Sequence, residues 1–289
     1  MLGLVSRRAF TESHTLISIL DIQSLNLYDQ GPLLTLASRP CPTHSKVEAK
    51  PSLTRCGRLW RWSDPRPDRP RKSKAQLEKE RQKKVQSFVK DGVLKSPLIA
   101  EAMLKVPREE FVPPEYRDHC YREIPLPLPA LEATVSCPRS YAVFYESMRL
   151  RTGDRFLEVG TGSGYGAALA REVVGRQGLV VSLEIDRSAY SYAKSNLSRL
   201  GYNDIILIRG DGCLGYEPEA PYDKISVTAA VLSMPETLLD QLKDDGLAVA
   251  PMGNTETQEL KLVHKDGTMS TISESTAFVP MIGRYRGTG

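Results

Sequence analysis

From Gly153 onward the chain alternates short apolar runs with helical stretches, and this alternation narrows the possible folds more than any other feature. RFLEV (Arg155–Val159) reads as a buried strand, Tyr165–Val174 as a helix, and LVVSLEI (Leu179–Ile185) as a second strand. Ser188–Leu200 is a helix stopped by Gly201, and DIILIR (Asp204–Arg209) is a third strand. KISVTA (Lys224–Ala229), a helix over Pro235–Leu242 and LAVAP (Leu247–Pro251) continue the series. LKLVHK (Leu260–Lys265) and a short strand near Phe278 close it. Strands separated by helices form βαβ units, which predicts an α/β fold with a doubly wound, mostly parallel sheet and helices on both faces. Ligands of such sheets bind at the carboxyl ends of the strands.

The preceding part of the chain is different. Residues 1–75 lack sustained period-2 or period-3.6 patterning, and six prolines lie between Pro40 and Pro70. RWSDPRPDRPRK (Arg61–Lys72) alternates proline with charge, which favours extended, solvated chain. Residues 1–75 are therefore expected to be a poorly ordered, basic, Pro-rich extension, or a stretch lying ahead of the true start. The opening MLGLVSRRAF has the arginines and lack of acids of a mitochondrial presequence, but Glu12, Asp21 and Asp29 follow it. The folded domain is expected over 76–289, with a helical part over 76–150 and the alternating core over 151–289. In the helical part, Ala75–Gly92 is rich in helix formers, with Leu77, Val85, Phe88 and Val89 as its apolar positions. Ser96-Pro97 provides an N-cap and a first-turn proline for a helix carrying Leu98, Met103 and Val106 toward a core. Pro113-Pro114 and IPLPLP (Ile124–Pro129) mark an extended connection.

Charge is unevenly placed. Arg55–Lys84 holds 12 Lys+Arg against 4 Asp+Glu, a local +8, so with a net charge of +4 the remainder sums to 4 − 8 = −4. No apolar run approaches the ~20 residues of a membrane-spanning helix. The five cysteines (Cys41, Cys56, Cys120, Cys137, Cys213) form no CxxC pair and leave one over. That argues against a disulfide scaffold or a structural zinc site, no metal is expected, and a reducing cytoplasmic compartment fits.

The sharpest chemical signal is FLEVGTGSGYGAALA (Phe156–Ala170). A strand ends near Glu158, and Gly160, Thr161, Gly162, Ser163 and Gly164 turn into a helix. Such glycines let a nucleotide-like ligand lie against the backbone with a helix N-terminus behind it. The spacing is GxGxG and not the GxGxxG of dinucleotide sites. Glu158 precedes the first glycine by two, and a carboxylate there suits a ligand carrying an ammonium group. Together these features point to S-adenosyl-L-methionine as cofactor. Glu184, at the end of the second strand, is placed to accept both ribose hydroxyl protons. GDG (Gly210–Gly212) follows the third strand and puts Asp211 and Gly212 near the adenine edge. YDKISVTAA (Tyr222–Ala230) supplies a fourth strand whose end borders the substrate pocket.

Across about Val85–Gly283 the sequence resembles the protein-L-isoaspartate O-methyltransferase family. The segments that carry the resemblance are VPREEFVPPEYRDHCYREIPLPL (Val106–Leu128), ATVSCP (Ala133–Pro138), LEVGTGSGY (Leu157–Tyr165), GDG, VTAA followed by Met234-Pro235, and FVPMIG (Phe278–Gly283). The resemblance implies a Rossmann-like methyltransferase fold and methylation of L-isoaspartyl carboxyl groups in damaged proteins or peptides; the chain is expected to be a monomer. It also implies Ser136 as the active-site hydroxyl, with Thr134 and Val135 lining the isoaspartyl pocket opposite Thr228, Ala229 and Ala230. Glu158, Gly160, Gly162, Glu184 and Asp211 would hold the cofactor. Glu132-Ala133, Arg139–Tyr141 and Ala229–Val231 depart from the family pattern, which leaves open a different acceptor on the same fold. A further alternative is a cofactor-binding scaffold tethered to RNA or ribosomes by Arg55–Lys84. A carboxylate acceptor, with a reference pKa near ~4, is ionised at neutral pH and needs no general base.

Overall fold

The computed structural model describes residues 70–130, 133–254 and 256–284. The expectations for residues 1–69 therefore lie outside the described residues. The first helix, α1, spans Lys74–Lys90, two residues ahead of the expected domain start. Ser73 caps it through a reciprocal box, its Oγ accepting from Gln76 N at 3.3 Å while its own N–H donates to Gln76 Oε1 at 2.8 Å. The backbone N–H groups of Arg71 and Lys72 also donate to the Asp118 carboxylate, so residues ahead of α1 already contact the domain. Leu77, Val85 and Phe88 are buried, whereas Val89 is exposed.

Helix α2 (Pro97–Lys105) starts as expected, with Ser96 as N-cap and Pro97 in its first turn. A small hairpin follows, β1 (Leu126–Pro127) pairing antiparallel with β2 (Thr134–Val135). Helix α3 (Pro138–Met148) is an element that the sequence pattern did not show. Strand β3 (Arg155–Val159) and helix α4 (Tyr165–Val174) have the bounds expected. Then come β4 (Leu179–Glu184), α5 (Arg187–Arg199), β5 (Ile206–Arg209) and β6 (Tyr222–Val227). Asp186 caps α5, accepting from Ser188 N and Ala189 N.

The chain closes with α6 (Glu236–Asp240), β7 (Leu242–Gly253), β8 (Gln258–His264) and β9 (Met269–Thr276). Two expectations are corrected here. The helix over Pro235–Leu242 shrinks to Glu236–Asp240, because Leu242 already pairs with Tyr222 as the start of β7. The last strand is Met269–Thr276, held as an antiparallel edge on β8, and Phe278 lies beyond it.

The seven strands run in the order β5-β4-β3-β6-β7-β8-β9, parallel from β5 to β7 and antiparallel from there. Alternation along β3 and β4 divides the core. Phe156 and Val180 face a large cluster built with α1–α4 (Phe88, Ile99, Tyr145, Leu169), while Leu157, Val159 and Val181 face one built with α6 (Leu238). The sheet reverses its winding between β3 and β6, so a crevice opens at their carboxyl ends.

Candidate active site

At that crevice the glycine turn leaves β3. Gly160, Gly162 and Gly164 have φ of +96°, +56° and +87°, a region that side chains rarely adopt. A Cβ on Gly160 would stand 2.3 Å from Thr228 Oγ1, and one on Gly212 would stand 2.3 Å from Val159 Cγ1. Glycine at these two positions therefore lets the turn pack against Thr228 at the end of β6 and the segment after β5 pack against β3, which draws the carboxyl ends of the strands together at the crevice. Thr161 and Ser163 are both buried and hold the turn from within. Thr161 Oγ1 lies 2.6 Å from Ser182 Oγ, and the Ser163 carbonyl accepts from Asn196 Nδ2 at 3.0 Å.

The three acids stand at the ends of three neighbouring strands. Glu158 is buried against the first turn of α4, where a Cβ on Gly166 would meet its Oε1 at 2.1 Å. Its Oε2 accepts from Ser182 Oγ at 2.7 Å. Burial pushes its carboxyl up to about 8, with the Ser182 bond opposing the shift. Glu184, also raised by burial, accepts from Gly162 N at 2.9 Å and Asp186 N at 3.0 Å, so its carboxylate abuts the glycine turn. Asp211 accepts from Cys213 N at 3.0 Å and from Arg284 N at 2.9 Å, tying the C-terminal segment to the end of β5.

On the other side of the turn, β2, α3 and the end of β6 come together. Ser136, Ser140, Tyr141, Glu158, Thr228 and Phe278 line one cavity, which brings Ser136 and Thr228 together. The Thr134 carbonyl oxygen lies 3.5 Å from where a Cβ on Gly162 would sit, placing the Thr134–Ser136 segment beside the glycine turn. Val135 instead packs its side chain into a small core with Leu77, Cys120 and Leu128. Ala230 is nearly buried under the C-terminal segment, donating to Val279 O at 2.8 Å and accepting from Met281 N at 2.8 Å.

Sequence reasoning missed three features. Ile185, directly after β4, and Leu214, at the end of a short 3-10 turn (Gly212–Leu214) beyond β5, are 41% and 40% exposed, apolar surface of the kind that suits the flat face of a base. Their signal was position, one residue after Glu184 and three after Asp211. Arg108, in sequence no more than a member of the Val106–Leu128 signature, is fully buried and bonds to the Ser136 carbonyl. The segment from Phe278 to Arg284 carried a motif but no assigned place in the site.

Comparison with known proteins agrees with this geometry. The family model described as protein-L-isoaspartate(D-aspartate) O-methyltransferase matches residues 79–286. The chain is 46% identical over 198 residues to protein-L-isoaspartate O-methyltransferase 1 of Archaeoglobus fulgidus, covering 68% of this chain and 91% of that protein. It is 44% identical over 207 residues to the enzyme of the same name from Methanopyrus kandleri, with 70% and 91% covered. A solved protein-L-isoaspartate O-methyltransferase superposes with a TM-score of 0.62 at 37% identity, covering 71% of this chain and 67% of that one. A Plasmodium falciparum structure, described as a complex with S-adenosyl-L-homocysteine, has the same fold at TM-score 0.62 and 21% identity, covering 70% and 98%. The chain belongs to the protein-L-isoaspartate O-methyltransferase family.

Proposed function

We propose that this chain uses S-adenosyl-L-methionine to methylate the carboxyl group of L-isoaspartyl residues in damaged proteins and peptides. The observation that carries the reading is the approach of the Thr134–Ser136 segment to the glycine turn at Gly162, which sets an acceptor pocket beside a cofactor cradle. Bound S-adenosyl-L-methionine supplies an electrophilic methyl group on a sulfonium. Gly160, Gly162 and Gly164 give it backbone to lie against, Glu184 receives its ribose hydroxyls, and Ile185 and Leu214 flank its base. Ser136 donates its hydroxyl to the acceptor carboxylate and aims it, while Thr228 bounds the far side of the cavity.

An oxygen of the ionised carboxylate forms the bond to the methyl carbon as the carbon–sulfur bond breaks, and the electron pair stays on sulfur. No proton moves in this step, so positioning and desolvation supply the catalysis, worth up to about 7–11 kcal/mol for well-oriented partners. The ester then favours succinimide closure, because methanol departs more readily than hydroxide.

The proposal extends to a monomer working in the cytoplasm. Free thiols at Cys120 and Cys137 support a reducing compartment, and no described helix is long and apolar enough to cross a membrane. Among the described residues of the basic stretch, Lys72, Arg81 and Lys84 pair with Glu80, Glu109 and Glu123, so these charges serve the domain itself. The deciding experiment incubates the protein with labelled S-adenosyl-L-methionine and matched aspartyl and isoaspartyl peptides. Base-labile label is expected on the isoaspartyl peptide alone, and label on both or neither refutes the acceptor assignment.

A further inference from the structure

Behind the acceptor segment stands a buried guanidinium that has no carboxylate partner among the described residues. Arg108 follows Pro107 in a short 3-10 turn (Arg108–Glu110) and has no exposed surface. Its Nε donates to the Cys120 carbonyl at 2.6 Å and its Nη2 to the Ser136 carbonyl at 2.6 Å. The guanidinium carbon lies 5.1 Å from the Tyr165 ring centroid and 5.8 Å from that of Tyr141. Its Nη1 is buried with no hydrogen-bond partner. A buried charge held, among the described residues, by two carbonyls, two ring faces and the Tyr141 hydroxyl is expensive to keep, and an apolar side chain of similar volume would fill the space at lower cost.

The anchors explain its retention. Ser136 belongs to the acceptor segment, and Tyr165 is the first residue of α4, directly after Gly164 of the cofactor turn. Tyr141, also under the guanidinium, lines the same cavity as Ser136. One rigid planar group thus touches both halves of the site. We propose that Arg108 is a positioning residue for methyl transfer, fixing the acceptor segment at Ser136 against the cofactor turn at Tyr165. The inference rests on the methyl-transfer reading given above. In-line displacement needs oxygen, methyl carbon and sulfur aligned, and a misplacement of about 1 Å costs about 100-fold in rate. Lysine keeps the charge, but its single ammonium cannot reproduce the fork between two carbonyls or stack on a ring as a plane.

The test is a cycle of four proteins: wild type, Arg108→Lys, Ser136→Ala and the double variant. Each is measured for single-turnover methyl transfer to an isoaspartyl peptide, for S-adenosyl-L-homocysteine affinity by calorimetry, and for melting temperature. Arg108→Lys should slow transfer by about 30-fold in the presence of Ser136 and by less than about threefold when Ser136→Ala is already present. Affinity for S-adenosyl-L-homocysteine should stay within about threefold of wild type. Equal fold losses in both backgrounds, or an unchanged rate, overturn the role. If Arg108→Lys does not fold, Tyr165→Leu takes its place in the same cycle, since it removes one of the rings that hold the guanidinium. A wild-type protein that transfers no methyl to the isoaspartyl peptide refutes the acceptor reading and this inference with it. A wild type that turns over while the cycle is multiplicative refutes the Arg108 role alone.

Discussion

Replacing Gly160 by alanine tests the glycine turn directly. At φ +96° an L side chain costs about 1–2 kcal/mol in backbone strain. The new Cβ would also stand 2.3 Å from Thr228 Oγ1, so that hydroxyl must move. It lies 3.0 Å from the Val159 carbonyl and 2.8 Å from the Gly160 carbonyl, and losing these contacts costs roughly 0.5–1.5 kcal/mol each. The total is about 2–5 kcal/mol, which at roughly 2–4 °C per kcal/mol lowers the melting temperature by about 4–20 °C. Thr228→Ala removes the colliding oxygen and leaves a Cβ 3.7 Å away, an ordinary contact. In that background Gly160→Ala should cost only the backbone strain of about 1–2 kcal/mol. Scanning calorimetry of the four proteins, with and without S-adenosyl-L-homocysteine, reads both stability and the stabilisation conferred by the ligand. If Gly160→Ala melts with wild type, or if the two substitutions add without coupling, the close-approach argument is wrong.

Glu184→Ala should weaken S-adenosyl-L-methionine binding by roughly 1.5–3 kcal/mol, and Glu184→Gln by less because one acceptor oxygen survives; calorimetric affinities that match wild type would exclude Glu184 from the site. Glu158 binds its proton more tightly folded than unfolded, so between its ordinary value of 4.5 and about 8 stability should fall as pH rises, by up to about 1.4 kcal/mol per pH unit. Glu158→Gln should remove that slope in urea melts of the cofactor-free protein, and parallel curves for the two proteins would refute the shift. A chain beginning at Pro70 should melt and turn over like the full chain. One beginning at Lys74 loses the Ser73 cap and the Asp118 contacts, costing about 1 kcal/mol or more, and equal melting of the two would place the boundary later.

What the sequence made legible was the parallel core and its turn. Arg155–Val159 and Tyr165–Val174 stood out because apolar density and glycine spacing there serve one requirement, burial beside a close backbone approach. Helix α3 was hidden for physical reasons. Tyr141, Val143, Phe144 and Tyr145 are weak helix formers, and Cys137 caps its start with no side-chain bond, leaving Pro138 as the single start signal. Strand β9 is a polar edge, MSTISEST, whose pairing is supplied by β8 and not by an apolar face. In β7, Asp244-Asp245-Gly246 has the composition of a turn, yet it forms an irregularity inside the strand, where Tyr222 and Lys224 pair with Leu242 and Leu247. Within the site, the glycines and strand-end acids followed from spacing. Arg108 did not, since REE (Arg108–Glu110) reads as a solvated charge run while the structure buries both Arg108 and Glu109.

The stitching of residues 279–284 onto Ala230 and Asp211 has a consequence for when the protein becomes competent. Arg284 meets Asp211 across 73 residues of chain, and the Val279–Met281 stretch meets Ala230 only after β7, β8 and β9 have formed between them. Contacts this distant in sequence close late, because the intervening loop must be ordered before they contribute. On the ribosome, the glycine turn, β4 and β5 emerge first, while the wall over β6 waits for the last part of the domain. A nascent chain halted before residue 279 would carry the glycine turn without the segment that closes over Ala230 and Asp211, so the site is finished only once residues 279–284 have emerged.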